Sequence, residues 1–124
     1  LDDCIAILGA GANLAWLAGK ALDGKQLFYW GDLDTWGLTL LGRARELRPE
    51  LQTVLMTQEV FDCYREFAVP EQHKAAEQPH GALTPQEKSL YEFLWQAELG
   101  RLEQEYIPLQ LVQQTLACML KGDA

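Results

Sequence analysis

The spacing of apolar residues changes from one segment to the next along the first 68 residues. Three short apolar runs predict buried strands, at residues 4–8, 26–30 and 51–56. Helical spacing follows each run, and the three predicted helices begin near Asn13, Thr35 and Thr57. Strands that alternate with helices through short connections predict an α/β fold with a parallel sheet of at least three strands and right-handed crossovers.

Each of these predicted helices has an apolar face that is expected to be buried. The residues on the three faces are Leu14, Leu17, Ala18, Ala21, Leu22, Leu40, Leu41, Ala44, Leu47, Val60, Phe61, Tyr64 and Phe67. The arginines of the second helix, Arg43, Arg45 and Arg48, are expected to face solvent. Pro49 is expected to end that helix.

The pattern is different in the second half of the chain. Residues 70–82 lack apolar periodicity and predict a surface loop. A capping-box sequence at residues 84–87, with proline at the first helical position, predicts the start of a helix. A last helix is predicted from about residue 108 to residue 122. The apolar residues of these two helices that are expected to point inward are Leu90, Phe93, Leu94, Ala97, Leu109, Val112, Leu116, Met119 and Leu120.

Composition narrows the choice of function. The 124 residues include 10 basic and 18 acidic side chains, and the resulting net charge of −8 argues against a chain that binds DNA on its own. A cluster of acidic residues suits a divalent cation instead. No apolar stretch is long enough to span a bilayer, so a cytoplasmic protein without membrane contact is expected. Cys4, Cys63 and Cys118 lack metal-site spacing and are expected to be buried free thiols.

The stretch from Gly31 to Gly37 carries the most informative chemistry. Asp32 and Asp34 lie where a predicted strand ends and a helix begins, which is where open α/β sheets place their ligands. Their carboxylates can share one space with a Mg²⁺ ion between them. The other interpretation is a helix N-cap at Asp34 and a turn residue at Asp32. The spacing alone leaves both interpretations open.

Four stretches, at residues 8–11, 29–37, 83–87 and 101–108, resemble in the same order the Toprim domain of JetD-type nuclease subunits of Wadjet plasmid-defence systems. The resemblance implies a Toprim-like, Rossmann-like sheet flanked by helices, with extra C-terminal helices and a relation to type VI topoisomerase A subunits. It implies Mg²⁺-dependent (or Mn²⁺-dependent) cleavage of double-stranded DNA within an SMC-like complex that acts on circular plasmids. It also implies a homodimer of the full-length protein, with the DNA held through other domains.

The resemblance assigns the metal to Asp32 and Asp34. Toprim domains also carry a glutamate after their first strand, as a general acid/base or metal ligand. The strand at residues 4–8 looks like the family's second, because it ends in Gly9-Ala10-Gly11. Residues 1–124 are therefore expected to be the C-terminal portion of the domain, with the glutamate upstream of Leu1, and this chain alone is expected to be inactive.

Two details of the resemblance concern charged residues. An acidic residue usually follows the strand that is predicted to end at Met56, but Thr57 stands there and is expected to serve only as an N-cap. Glu103 and Glu105 are candidate catalytic residues, although a solvated run of charge is the ordinary interpretation of this pattern. At most one of them is expected to face the site if the stretch is helical. Alternatively, Arg101 and Glu105 order the loop before Pro108.

The polar loop also contains two histidines, His73 and His80, which lack a spaced partner and are expected to be exposed rather than catalytic.

Two functions of other classes remain open at this stage. The first is a dinucleotide-binding oxidoreductase domain, since two glycines at residues 9–11 follow a strand and Asp32 lies where a ribose-binding acid belongs. Its fingerprint fails at the third glycine, where Leu14 stands. The second is a catalytically inactive interaction module.

Overall fold

The structure is a computed structural model that describes residues 4–8 and 15–122. Its strands are β1 (Cys4–Leu8), β2 (Gln26–Trp30) and β3 (Gln52–Thr53). They form one parallel sheet in the order β1-β2-β3. All five residues of β1 pair with β2, whereas β3 pairs only with Phe28 and Tyr29. The predicted parallel sheet of at least three strands is confirmed.

The third strand is shorter than predicted. Val54 N still donates a hydrogen bond of 2.8 Å to Tyr29 O, so the chain follows β2 for one residue beyond β3. Leu55 then adopts a φ of 59°, in the left-handed region. That conformation turns the backbone away from the strand direction, so the predicted strand at residues 51–56 is wrong in its extent.

Four α-helices accompany the sheet in the described part of the chain: α1 (Thr35–Leu47), α2 (Gln58–Cys63), α3 (Pro85–Gln96) and α4 (Leu109–Gly122). The predicted start of α2 is confirmed, because Thr57 Oγ1 accepts a hydrogen bond from Val60 N. The start of α3 is confirmed too, with both hydrogen bonds of the capping box between Thr84 and Glu87. None of the described helices is long and apolar enough to cross a membrane.

The helix predicted from Asn13 is wrong over the residues that are described. Two short 3₁₀ helices, Ala15–Ala18 and Lys20–Leu22, occupy that segment. Between them Gly19 has an extended backbone (φ −68°, ψ 145°), which interrupts the helical hydrogen bonds. Asn13 itself, with Leu14, lies outside the described residues.

Side chains alternate between the two faces of the sheet along β2, and those on each face pack into an apolar core. Leu27 and Tyr29 belong to a large apolar core that also includes residues of α1, α2 and α3. Phe28 and Trp30 face a second, smaller core that includes Val112 of α4. The sheet therefore lies between two layers of helix.

Several side chains that were predicted to point inward are exposed. They are Ala18, Ala21, Leu47, Phe67 and Leu109. Phe67 lies in a 3₁₀ helix after α2, where its ring stacks on the half-exposed Tyr106. Leu109 is the first residue of α4 and is 63% exposed. Cys63 and Cys118 are free thiols as predicted, but both are exposed rather than buried.

Two arginines that were predicted to face solvent bind other segments instead. Arg45 of α1 forms an ion pair with Glu87 of α3, at 2.5 and 3.1 Å, and only 12% of the Arg45 side chain is exposed. Arg48 Nε donates a hydrogen bond of 2.6 Å to Leu17 O, and Arg48 Nη1 lies 2.8 Å from Asp23 Oδ1. Helical periodicity misses these contacts because the partners lie far along the chain. The third arginine, Arg43, is exposed as predicted.

Residues 70–82 have no regular secondary structure, as predicted, but they are fixed to the helices around them. Thr35 Oγ1 accepts a hydrogen bond from Ala75 N, and Tyr91 donates one to Ala76 O. His80 lies against Gly42 of α1, where a side chain at position 42 would collide with the imidazole ring. The loop is therefore part of the packed structure.

The ion pair between Arg45 and Glu87 should make a large contribution to stability, because removing one partner leaves the other buried without a counter-charge. We expect Glu87→Ala to lower the free energy of unfolding by about 3 kcal/mol. Asp62→Ala is the matched control, since it removes a carboxylate from the exposed pair with Arg65 and should cost less than about 1 kcal/mol. Denaturant titration measures both, and equal losses would contradict the prediction.

Candidate metal centre

Asp32 and Asp34 lie where β2 ends and α1 begins. Asp34 is the N-cap of α1, and its Oδ1 accepts a hydrogen bond of 2.6 Å from Gly37 N. The N-cap interpretation of Asp34 is therefore confirmed. A side chain at position 37 would collide with the backbone carbonyl oxygen of Asp32, so glycine is what allows α1 to begin this close to the end of β2.

A second segment reaches the aspartates from far along the chain. Leu33 and Leu102 exchange both of their backbone hydrogen bonds, at 2.9 and 3.0 Å. This bridge places Gln104 N 2.8 Å from Asp32 Oδ1, to which it donates a hydrogen bond. Residues 101–105 therefore lie beside the aspartates.

Of the two candidate glutamates in that segment, Glu103 is the one that faces the aspartates. Its side chain lines the same cavity as Asp32 and Asp34. Glu105 is exposed on the surface, where a hydrogen bond and the charge of Glu103 raise the pKa of the Glu105 carboxyl above its usual value. The structure thus brings Asp32, Asp34 and Glu103 together and leaves Glu105 at the edge of the group. The catalytic roles of all four stay predictions.

Arg101 provides the positive charge among these carboxylates. Its guanidinium lies 3.7 Å from Asp32 Oδ2, 3.7 Å from Asp34 Oδ2 and 3.8 Å from Glu103 Oε1. The backbone of Arg101 is fixed by two hydrogen bonds of 2.9 Å with Val69. The guanidinium is thus a counter-charge shared by three carboxylates.

Glu71 is a member of the site that the sequence analysis missed. This buried glutamate accepts hydrogen bonds from Thr35 N (3.1 Å), from Thr35 Oγ1 (2.8 Å) and, through its other oxygen, from Trp36 N (3.3 Å). It therefore satisfies backbone N–H groups in the first turn of α1, which have no partner within the helix. Glu71 lies in a loop without periodicity, and no pattern in the sequence marks it.

A cavity of about 580 Å³ opens over this group of carboxylates. Asp32, Asp34, Glu71 and Glu103 all line it, with Arg101 as the one arginine or lysine among the lining residues. The half-exposed Trp36 forms part of the wall of the cavity, and its indole Nε1 donates a hydrogen bond of 2.7 Å to the backbone carbonyl oxygen of His73. Four carboxylates and a single guanidinium on one cavity leave an excess of negative charge, which favours a further cation.

The electrostatics of Asp34 reflect this excess. The pKa of the Asp34 carboxyl is raised to about 6, with burial as the largest cause. The hydrogen bond from Gly37 and the charge of Arg101 oppose this rise, and the charges of Glu71 and Asp32 add to it. Burial likewise raises the pKa of the Tyr29 phenol, with a contribution from both aspartates. An added positive charge beside Asp34 would therefore favour its ionised form.

The donor atoms fit a divalent cation in part. In each aspartate Oδ1 accepts a backbone hydrogen bond, while Oδ2 faces the Arg101 guanidinium. Asp32 Oδ2 and Asp34 Oδ2 face the same position, and such a pair of oxygens suits Mg²⁺. Mg²⁺ commonly takes one or two carboxylates and completes its shell with water or phosphate oxygens. Within the described ranges, no group of three or more histidine, cysteine, aspartate or glutamate residues is arranged to hold a metal by itself.

Other residues that the sequence analysis considered lie outside this group or at its edge. His73 lines the cavity but is exposed. His80 is only half-buried and has a partner, because its Nε2 lies 3.0 Å from Glu46 Oε1. Thr57 is an N-cap, as expected. The glycines at residues 9–11 lie outside the described residues, so the dinucleotide fingerprint is untested there.

Comparison with known proteins adds one decisive observation. The family model described as "Wadjet protein JetD, C-terminal" matches residues 1–116. The chain belongs to the Wadjet JetD C-terminal family. No curated protein matches the sequence.

Membership of the JetD family makes the chain part of a Wadjet defence-system subunit, which acts with other Wadjet subunits. The motifs of the JetD resemblance occupy different places in the fold. Residues 29–37 carry the aspartates, and residues 101–108 contain the bridge that lies against them. Residues 83–87 instead begin α3, away from the cavity, so this motif has a structural role.

The raised pKa of Asp34 predicts a pH-dependent stability. An unfolded Asp34 ionises near pH 4 and the folded one near pH 6, so its contribution to stability is fully present below pH 4 and is lost as the pH rises through 6. Asp34→Asn keeps an acceptor for Gly37 N but does not titrate. In EDTA, the stability of this variant relative to wild type should rise by on the order of 2 kcal/mol between pH 4 and pH 7. Denaturant titration across that range tests this, and a difference that stays constant would contradict it.

Glu71 should be needed to hold the first turn of α1. Glu71→Ala leaves the Thr35 and Trp36 donors without their acceptor and should lower the free energy of unfolding by about 2 kcal/mol. Glu77→Ala removes an exposed glutamate from the same loop and should change it by less than about 0.5 kcal/mol. Thermal and denaturant unfolding compare the two, and similar losses would show that Glu71 is not a cap.

Proposed function

We propose that the chain forms part of a Toprim-like active site that cleaves DNA with Mg²⁺ or Mn²⁺, in a nuclease subunit of a Wadjet system. The observation that carries the proposal is the convergence of Asp32 Oδ2 and Asp34 Oδ2 on one positive charge, at the end of a parallel strand. Ligands of open α/β sheets bind at this edge. Membership of the JetD family supports the same reading.

In the proposed site each residue has a separate task. Asp32 and Asp34 hold the cation through the oxygens that face Arg101, while their other oxygens accept backbone hydrogen bonds that fix the two side chains. A bound divalent cation supplies positive charge that stabilises the attacking and leaving oxygens of a phosphodiester. Glu103, which lines the same cavity, is proposed to orient a water molecule near that position.

The general acid/base is not among these residues. In the proposal it is the glutamate that the Toprim resemblance places after a strand upstream of Leu1. Asp34, with its pKa of about 6, is partly protonated near neutral pH, and ligation of a cation would favour its ionised form. The site is therefore completed by both the cation and the upstream segment.

The charge of the chain indicates how DNA is held. A net charge of −8 repels the phosphate backbone, so the proposal assigns the DNA-binding surface to other domains and to the other Wadjet subunits. The full-length protein is proposed to be a homodimer. The substrate is double-stranded, circular plasmid DNA in the cytoplasm.

The proposal predicts that both aspartates are required for cleavage. In the full-length protein with its partner subunits, Asp32→Ala and Asp34→Ala should each slow plasmid cleavage by about a hundredfold or more, because even replacing a residue that only hydrogen-bonds to a metal ligand costs about ten- to a hundredfold. Asp62→Ala, which removes an exposed carboxylate of α2, should cleave at the wild-type rate.

Stability separates this prediction from a purely structural role. Asp34→Ala also removes the N-cap of α1 and should be about 1 kcal/mol less stable than Asp34→Asn, which keeps an acceptor for Gly37 N. Asp32→Ala should lose less than about 1 kcal/mol relative to wild type. Both variants must remain folded in thermal melts for the assay to count. Cleavage by both at near wild-type rates would overturn the proposal and favour an inactive interaction module.

A further inference from the structure

The contacts of Arg101 differ from those of an ordinary ion pair. Guanidinium groups usually bind carboxylates at about 2.7–2.9 Å, often through two parallel hydrogen bonds. The three carboxylates around Arg101 all lie 3.7–3.8 Å away. Arg101 Nε is buried and has no hydrogen-bond partner.

A comparison within the same chain shows how a fixed arginine looks. Arg45 binds both oxygens of Glu87, at 2.5 and 3.1 Å, and also donates to Leu51 O and Ala82 O. Arg101 makes no such set of short contacts, and its side chain is 41% exposed. The Arg101 guanidinium is thus held by charge and not by directed hydrogen bonds, while a buried donor without a partner costs free energy.

The two oxygens nearest to Arg101 on the aspartates are the ones proposed to bind the metal. We infer that Arg101 is an exchangeable counter-ion: it occupies the cation position in the free protein and leaves that position when a divalent cation binds. The inference rests on the proposed metal site. It follows because two positive groups compete for Asp32 Oδ2 and Asp34 Oδ2.

The structure also provides a place for the released guanidinium. Glu103 Oε1 is already 3.8 Å from Arg101 Nε, and Glu105 lies beside Glu103 on the exposed side. The Arg101 backbone is fixed to Val69, so exchange needs only rotation of the side chain. Arg101 therefore keeps the aspartates together without metal, and it weakens metal binding by competing with it.

The test compares Arg101→Gln with Arg43→Gln in the full-length protein. The two variants remove the same charge, but the Arg43 guanidinium lies over the Trp36 ring, 5.8 Å from its centroid, and not among the aspartates. The Arg101→Gln protein should have a lower Tm than wild type in EDTA, and this difference should disappear in MgCl₂. A Mg²⁺ titration should give an apparent Kd about tenfold lower than wild type, the effect of removing one charge at this distance. Arg43→Gln should leave the Kd unchanged within about twofold.

Arg101→Lys serves as the second variant, because it keeps the charge and should keep the Kd within about threefold of wild type. An Arg101→Gln protein whose Mg²⁺ Kd equals or exceeds that of wild type overturns the exchange. The same holds if Arg101→Gln loses equal stability in EDTA and in MgCl₂, or folds in neither, since Arg101 is then structural. If wild type cleaves plasmid with Mg²⁺ in any of these cases, the proposed function stands and only the exchange fails. Mg²⁺ binding by none of the variants, wild type included, overturns both.

Discussion

The N-terminus of α1 is the point at which the separate parts of this structure meet. Its free backbone N–H groups carry partial positive charge, and two carboxylates satisfy them from different sides. Asp34 caps the helix locally, while Glu71 arrives from the loop after α2. Because both are held there, Asp32 is fixed beside them and the bridge between Leu33 and Leu102 closes over the group. The end of the helix thus accounts for the closeness of Asp34 and Glu71, and the bridge between Leu33 and Leu102 brings the segment with Glu103 to them.

This arrangement accounts for an unusual balance of charge. Asp32, Asp34 and Glu71 each accept hydrogen bonds from backbone N–H groups, yet burial and the charges of the neighbouring carboxylates raise the pKa of Asp34. A single arginine offsets the repulsion without neutralising it. The group of carboxylates therefore keeps an excess of negative charge that the one guanidinium does not remove. The proposed metal site and the proposed exchange of Arg101 both follow from that imbalance.

The sequence predicted the features that depend on near neighbours. The parallel direction of the strands, the capping box of α3 and the position of Asp32 were predicted from local patterns, and the N-cap at Asp34 was one of the two interpretations that the spacing left open. Local patterns do not predict contacts between distant segments, and the position of Glu103 on the cavity of the aspartates was expected only from the resemblance. Glu71 accepts hydrogen bonds from Thr35 and Trp36, which lie 36 and 35 positions earlier in the chain. Arg45 binds Glu87, which lies 42 positions later. A single unusual φ at Leu55 ended β3 early, and apolar periodicity contains no signal for it.

One glycine of α1 has a consequence for how relatives of this chain can vary. Glycine within a helix costs about 1 kcal/mol relative to alanine, and Gly42 is kept at that cost because the imidazole of His80 fills the space beside it. The imidazole of His80 packs directly against the backbone of Gly42, and this contact joins the loop to α1. In an alignment of homologues the two positions should therefore change together: a larger residue at 42 should be paired with a smaller one, or a shifted loop, at 80.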